Sequence, residues 1–178
     1  MKNDIDFVEA ICYNKTIVNA INRNAINRNL RRKSWLNNST LGNILIEKIW
    51  EDELIFEVRL RVESKYVNAW QTCYFDPVSL DKLCYFISGY CKGTGNANYY
   101  ESGDKTGNYT PSFSMRLSSN STGHITIEMD LEINDVEDRS HRCICNVYTE
   151  LGLLEKFAKN VHKLIDADIG STVSLLDI

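Results

Sequence analysis

The stretch HITIEMDLEI at 124–133 limits the possible folds more than any other part of this chain. Ile125, Ile127, Met129, Leu131 and Ile133 alternate with Thr126, Glu128, Asp130 and Glu132. Successive side chains of an extended strand point to opposite faces, so the apolar set shares one face and the polar set the other. The segment therefore predicts a strand in a sheet with one buried face and one outward face. Such one-sided sheets are typically antiparallel. The outward face would hold three carboxylates, Glu128, Asp130 and Glu132, spaced about 7 Å apart at twice the strand rise.

The same alternation recurs. LGNILIEKIW at 41–50 runs into the acidic turn Glu51-Asp52-Glu53. LIFEVRLRVES then places Leu54, Phe56, Val58, Leu60 and Val62 on one face. YVNAWQTCYF follows, rich in aromatic and β-branched residues, so three strands form a meander. At Asp76-Pro77 the period changes to that of a helix. Asp suits the cap, Pro suits the first turn, Leu80, Leu83, Cys84 and Ile87 recur at helical spacing, and Gly89 offers a stop. KGTGNANYYESGDKTGNYTP reads as one long loop. SFSMRLSS, GHITIEMDLEI and SHRCICNVYTE supply three further strands. A closing helix carries Leu154, Phe157, Ala158, Val161, Leu164 and Ile165 on one face, and GSTVSLLDI at the tail is a last strand or ordered coil.

The expected body, residues 35–178, is a single α+β domain. It is an antiparallel sheet of about six strands in the order β-β-β-α-β-β-β-α, with helices packed against it. Residues 1–34 form a leader with seven Lys or Arg against three Asp or Glu, a net of +4. The whole chain carries −4, which leaves the body at −8. The leader has helically spaced apolar residues but many Asn. It reads either as a helix or as a partly disordered tail.

Composition is that of an ordinary globular protein, with 43% hydrophobic and 25% charged residues. No apolar run reaches the roughly 20 residues of a membrane helix. Asp4, Asp6 and Glu9 interrupt the region where a secretory signal would need an apolar core, so a cytoplasmic protein with reduced thiols is expected from this sequence.

Catalytic motifs are missing from the sequence: no nucleophile elbow, phosphate loop or paired zinc histidines. The Gly-Thr-Gly at 93–95 is too short a pattern for a phosphate cradle. His141, Cys143 and Cys145 share a strand face and suit zinc by chemistry, but a fourth ligand is not supplied and the face should be buried. No metal and no cofactor are expected. Carboxylates at i, i+2 and i+4 of one strand are too far apart to close on one cation. The acid row, extended by Asp135, Glu137 and Asp138, reads either as a solvated outer face or as a recognition surface. A negative face repels nucleic acid and attracts a basic protein. Tyr99, Tyr100 and Tyr109 of the long loop are candidate aromatic anchors.

Across about residues 35–166 the chain resembles the WapI family of bacterial immunity proteins. The likeness lies in the aromatic-flanked strands that run into a helix, and in the phrase Gly123-His124-Ile125-x-Ile127-Glu128. The resemblance implies a non-enzymatic cytoplasmic antitoxin. Its partner would be the toxic carboxy-terminal domain of a contact-delivered or wall-associated protein, often a nuclease with a basic cleft. An adaptor for another basic protein is the alternative, and an enzyme with a dispersed site is a third reading.

Overall fold

A computed structural model describes residues 42–103, 112–121, 123–134 and 140–177. The leader 1–34 lies outside them. The elements run β1 (Asn43–Glu51), β2 (Phe56–Glu63), β3 (Asn68–Phe75), α1 (Pro77–Lys92), β4 (Tyr99–Ser102), β5 (Ser112–Ser119), β6 (His124–Asn134), β7 (Ser140–Glu150), α2 (Leu151–His162) and β8 (Thr172–Ser174). The class is α+β, and all pairings are antiparallel. The six strands expected from the sequence are present, joined by the short β4 and β8. They divide into two four-stranded sheets, ordered β3-β2-β1-β8 and β4-β5-β6-β7. No helix among the described residues is long and apolar enough to cross a membrane.

Both sheets turn their apolar faces into one core. Ile44, Ile46, Val58, Leu60 and Val62 come from the first sheet, and Met115, Leu117, Ile127 and Met129 from the second. Five rings carry the contact from sheet to sheet and on to a helix. Phe56 stacks on Phe75 at 6.2 Å, Phe75 meets Phe113 of β5 at 6.3 Å, Phe113 meets Tyr100 of β4 at 6.0 Å, and Tyr100 meets Phe86 of α1 at 5.7 Å. Offset and tilted ring pairs at these distances are favourable. Beside them the Gln71 amide donates to Ser112 O at 2.9 Å, joining β3 to β5.

Turn chemistry sets the strand ends. Asp52 Oδ1 accepts from the N–H groups of Leu54 and Ile55 (2.8 and 2.9 Å), so the turn persists to Ile55 and β2 starts at Phe56. Leu54, expected on the core face, is consequently 78% exposed. Asn120 closes the β5–β6 turn by accepting from His124 N–H at its side chain (3.0 Å), with Gly123 at φ 81°.

Helix α1 begins as expected. Asp76 accepts from Ser79 N–H while Ser79 Oγ accepts from Asp76 N–H, both at 2.9 Å. These bonds hold the Asp76 carboxyl below the usual carboxylate range, the Ser79 N–H first among the causes. The helix runs through Gly89, which was expected to end it, and stops at Gly93, whose φ of 66° is left-handed. The close approach in this turn belongs to Gly95, where a Cβ would come within 3.0 Å of Gly89 C and 3.2 Å of Tyr90 N. Across the helix pair, His162 Nε2 of α2 lies 3.0 Å from the Asp81 Oδ1 of α1. That oxygen is buried and makes no hydrogen bond among the described residues.

One cation sits within this framework. Lys48 continues the inward alternation of β1 and is fully buried. Its ammonium donates to Glu51 Oε1 (2.8 Å), Ile165 O (3.1 Å) and Ala167 O (2.9 Å), and lies 5.1 Å from the Phe56 ring centre. Its three protons therefore meet three acceptors, two of them carbonyls in the segment between α2 and β8. Replacing Lys48 with Met keeps the bulk but leaves those carbonyls and Glu51 without their donor. The expected loss is about 2–4 kcal/mol of stability by urea unfolding. A loss below about 0.5 kcal/mol, typical of a surface change, would contradict the role given to this ammonium.

Candidate functional site

The registers place Glu128, Asp130 and Glu132 on the outer face of β6, as the alternation predicts. They also put partners beside each. Arg116 of β5 and Asn146 of β7 lie opposite Glu128; Ser114 and Ile144 lie opposite Asp130; Ser112 and Arg142 lie opposite Glu132. Arg142 reaches diagonally to Asp130, with Nε to Oδ1 at 2.9 Å and Nη2 to Oδ2 at 2.7 Å. This is a two-pronged guanidinium–carboxylate pair, and its hydrogen bonds push the Arg142 pKa further up. Arg116 Nε stands 3.5 Å from Glu128 Oε1. The Arg116 guanidinium also lies 5.0 Å from the Tyr99 ring centre, and Tyr99 Oη donates to Glu101 Oε2 at 2.6 Å.

A row of three standing carboxylates is thus not what the sheet presents. Asp130 is only 9% exposed, because the neighbouring strands supply its cover and its counter-charge. Glu128 and Glu132 remain half-exposed. Tyr99 stays on the outer face at 38% exposure. Tyr100 does not: β4 turns it inward, its hydroxyl donates to Ser79 O at 3.4 Å, and burial pushes its pKa up to about 12. Asp135, Glu137, Asp138 and Tyr109 lie outside the described residues.

Groups not singled out by the acid row complete this face. Arg116 and Arg142 are its counter-ions, and Ile144 and Tyr148 of β7 are its exposed apolar groups, at 55% and 45%. The alternation of RCICNVYTE contained that signal, since Arg142, Ile144, Asn146, Tyr148 and Glu150 share the face opposite Cys143 and Cys145. Among the described residues the outer face of the second sheet carries five carboxylates (Glu101, Glu128, Asp130, Glu132, Glu150) against two guanidinium groups (Arg116, Arg142), a net of −3.

His141, Cys143 and Cys145 do not converge on an ion. His141 is exposed, Cys143 half-buried and Cys145 buried, and no group of three ligating side chains that could hold a metal occurs among the described residues. Burial pushes the thiols of Cys73 and Cys84 up to about 12 and that of Cys145 to about 11. A shallow hollow of about 230 Å³ is lined by Asn160, Lys163, Leu164, Thr172, Val173 and Asp177, among others. Neither His124 nor His141 lines it, and its carboxylate Asp177 accepts from the Ser174 N–H at 2.9 Å. A scan against protein-family models matches no family, and a search of curated proteins finds no match.

Two outcomes follow from this geometry. Asp130→Ala removes a buried carboxylate with its two charge-assisted bonds from Arg142 and should cost about 1–2 kcal/mol in urea unfolding, whereas Glu132→Ala should stay within about 0.5 kcal/mol. Equal effects would mean the Asp130 pair contributes nothing. The raised thiols set an alkaline limit. Folded Cys73 and Cys84 hold protons that the unfolded chain releases at ordinary thiol pKa, 9.0. Their contribution is full below pH 9 and is lost as pH rises towards 12. Urea midpoints should fall above pH 9, and Cys73→Ala should lessen that fall.

Proposed function

We propose that this chain is an immunity protein, which binds and neutralises the toxic domain of a contact-delivered or wall-associated bacterial protein. The observation that carries the reading is the outer face of β4-β5-β6-β7. It sets the exposed side chains of Tyr99, Ile144 and Tyr148 among charges that sum to −3 over the described residues. A broad sheet face with scattered aromatic and aliphatic groups suits a protein partner, whereas small ligands favour concave, enclosed sites. The negative balance favours a basic partner, such as a nuclease whose cleft holds polyphosphate. The phrase Gly123–Glu128 that resembles the WapI family forms the turn and first half of β6, the strand that also carries the acids of this face.

Division of labour on the face follows from exposure. Ile144, Tyr148 and Tyr99 supply apolar anchors, while Glu128 and Glu132 draw the partner in and orient it. Asp130 stays with Arg142 and holds the face in shape. Neutralisation by this route is stoichiometric. With the toxin encoded beside this gene as the probe, activity should vanish near one equivalent of the chain. Tyr148→Ala should raise the dissociation constant at least tenfold, and Glu128→Lys with Glu132→Lys should slow association and flatten its salt dependence. Protection by strongly substoichiometric amounts would indicate turnover. Unchanged toxin activity together with tight capture of another basic protein would indicate an adaptor.

A further inference from the structure

Among the described strands β7 is the outermost of the second sheet and pairs with β6 alone. It is eleven residues long, against four for β4 and three for β8. Edge strands expose unpaired N–H and C=O groups, and proteins shield them with lysine, proline, bulges or short length. β7 carries charges at Arg142 and Glu150 but no proline and no bulge: its 11-residue ladder to β6 is unbroken from His124↔Glu150 to Asn134↔Ser140. β3, the other long edge, is approached by β5, where Gln71 bonds to Ser112 O.

The outward side chains of β7 read Arg142, Ile144, Asn146, Tyr148, Glu150, and this order is complementary to its own reverse. When two copies run antiparallel about a two-fold axis at Asn146, Arg142 of each faces Glu150 of the other. Ile144 of each faces Tyr148 of the other, and Asn146 faces itself. Matched faces allow only slides of two residues. Such a slide puts Arg142 opposite Tyr148 or Gly152, and Glu150 opposite Ser140 or Ile144, losing both charge pairs. One register alone satisfies charge and apolar contact together.

The two charged ends are available for this. Arg142 uses Nε and Nη2 on Asp130, its guanidinium has further N–H donors, and its side chain is 54% exposed. Glu150 holds the N-cap position of α2 yet makes no side-chain cap bond there. Helix propensity alone would place Ser, Thr, Asp or Asn at that site.

We infer that β7 is a homodimer seam: two copies of this chain join edge to edge through antiparallel β7 strands centred on Asn146, forming one continuous eight-stranded sheet. The contact is isologous, as two-fold dimers require. Both outer faces then lie on the same side of the joined sheet, and Ile144 and Tyr148 form a central apolar strip on it. The inference goes beyond the toxin-binding reading and does not require a toxin.

Light scattering coupled to gel filtration on the full chain, eluting at about 50 μM, should give a weight-average mass of about 1.7 times the chain mass for a contact with Kd near 10 μM. Ile144→Lys and Glu150→Lys should each raise that Kd at least tenfold, with unchanged circular dichroism and melting temperature. Asn146→Cys fixes the register. Directly paired residues sit about 4.5–5.5 Å apart at Cα, within disulfide reach, so mild oxidation should yield a covalent dimer. Glu150→Cys should not cross-link to itself, and neither should the unsubstituted chain. A monomer at that concentration, a dimer indifferent to both Lys variants, or equal cross-linking at positions 146 and 150 would each overturn the inference.

Discussion

The rest of the molecule depends on the succession of rings from Phe56 through Phe75, Phe113 and Tyr100 to Phe86. Each sheet is apolar on one face only, so neither can exist alone in water. The rings give the two faces a common interior and extend it to α1. Phe75 holds the central place because it ends β3 just before Asp76 caps the helix. The chain therefore passes from the first sheet into α1 at the point where the second sheet makes contact. Edge strand β4 gains its position the same way, since Tyr100 is what fastens four residues of otherwise loop-like composition to the body.

Alternation made the long strands legible. In β2, β5 and β6 the period of two runs for at least eight residues, more than any turn or helix would sustain. Helix α1 was legible at its start, where Asp76, Pro77 and Ser79 act locally. Its end was not, because Gly89 and Gly93 each offer a stop and the helix takes the later one, where φ is 66°. β4, read as part of a loop, escaped for want of length, and the three residues of β8 left the tail open between strand and coil. The division into two sheets was equally hidden, since each strand shows that it has a buried face but not which sheet lies opposite.

The candidate face illustrates the same limit in electrostatic form. A single strand displays Glu128, Asp130 and Glu132 as three like charges in a line. Two neighbours turn that line into a lattice of alternating sign, and only the register identifies which arginine meets which acid. Arg142 bypasses Glu132, its direct opposite, for Asp130 one step along the diagonal, where both prongs of the guanidinium find oxygens. Such a lattice holds side chains in fixed positions, which lowers the ordering cost for any partner that docks on it. The surviving negative balance still acts at range, while the paired groups give the surface its rigidity.

Lys48 has a consequence in time as well as in energy. Its ammonium bonds carbonyls 117 and 119 positions further along the chain. Closing so long a loop costs entropy before any contact repays it, so pairings of this separation form late on the way to the native state. Interactions absent from the transition state govern how fast a protein comes apart rather than how fast it assembles. The buried ammonium thus behaves as a latch. Chevron kinetics should show a Lys48→Met chain refolding at nearly the parental rate and unfolding faster, so that the lifetime of the closed domain depends on three hydrogen bonds from a single side chain.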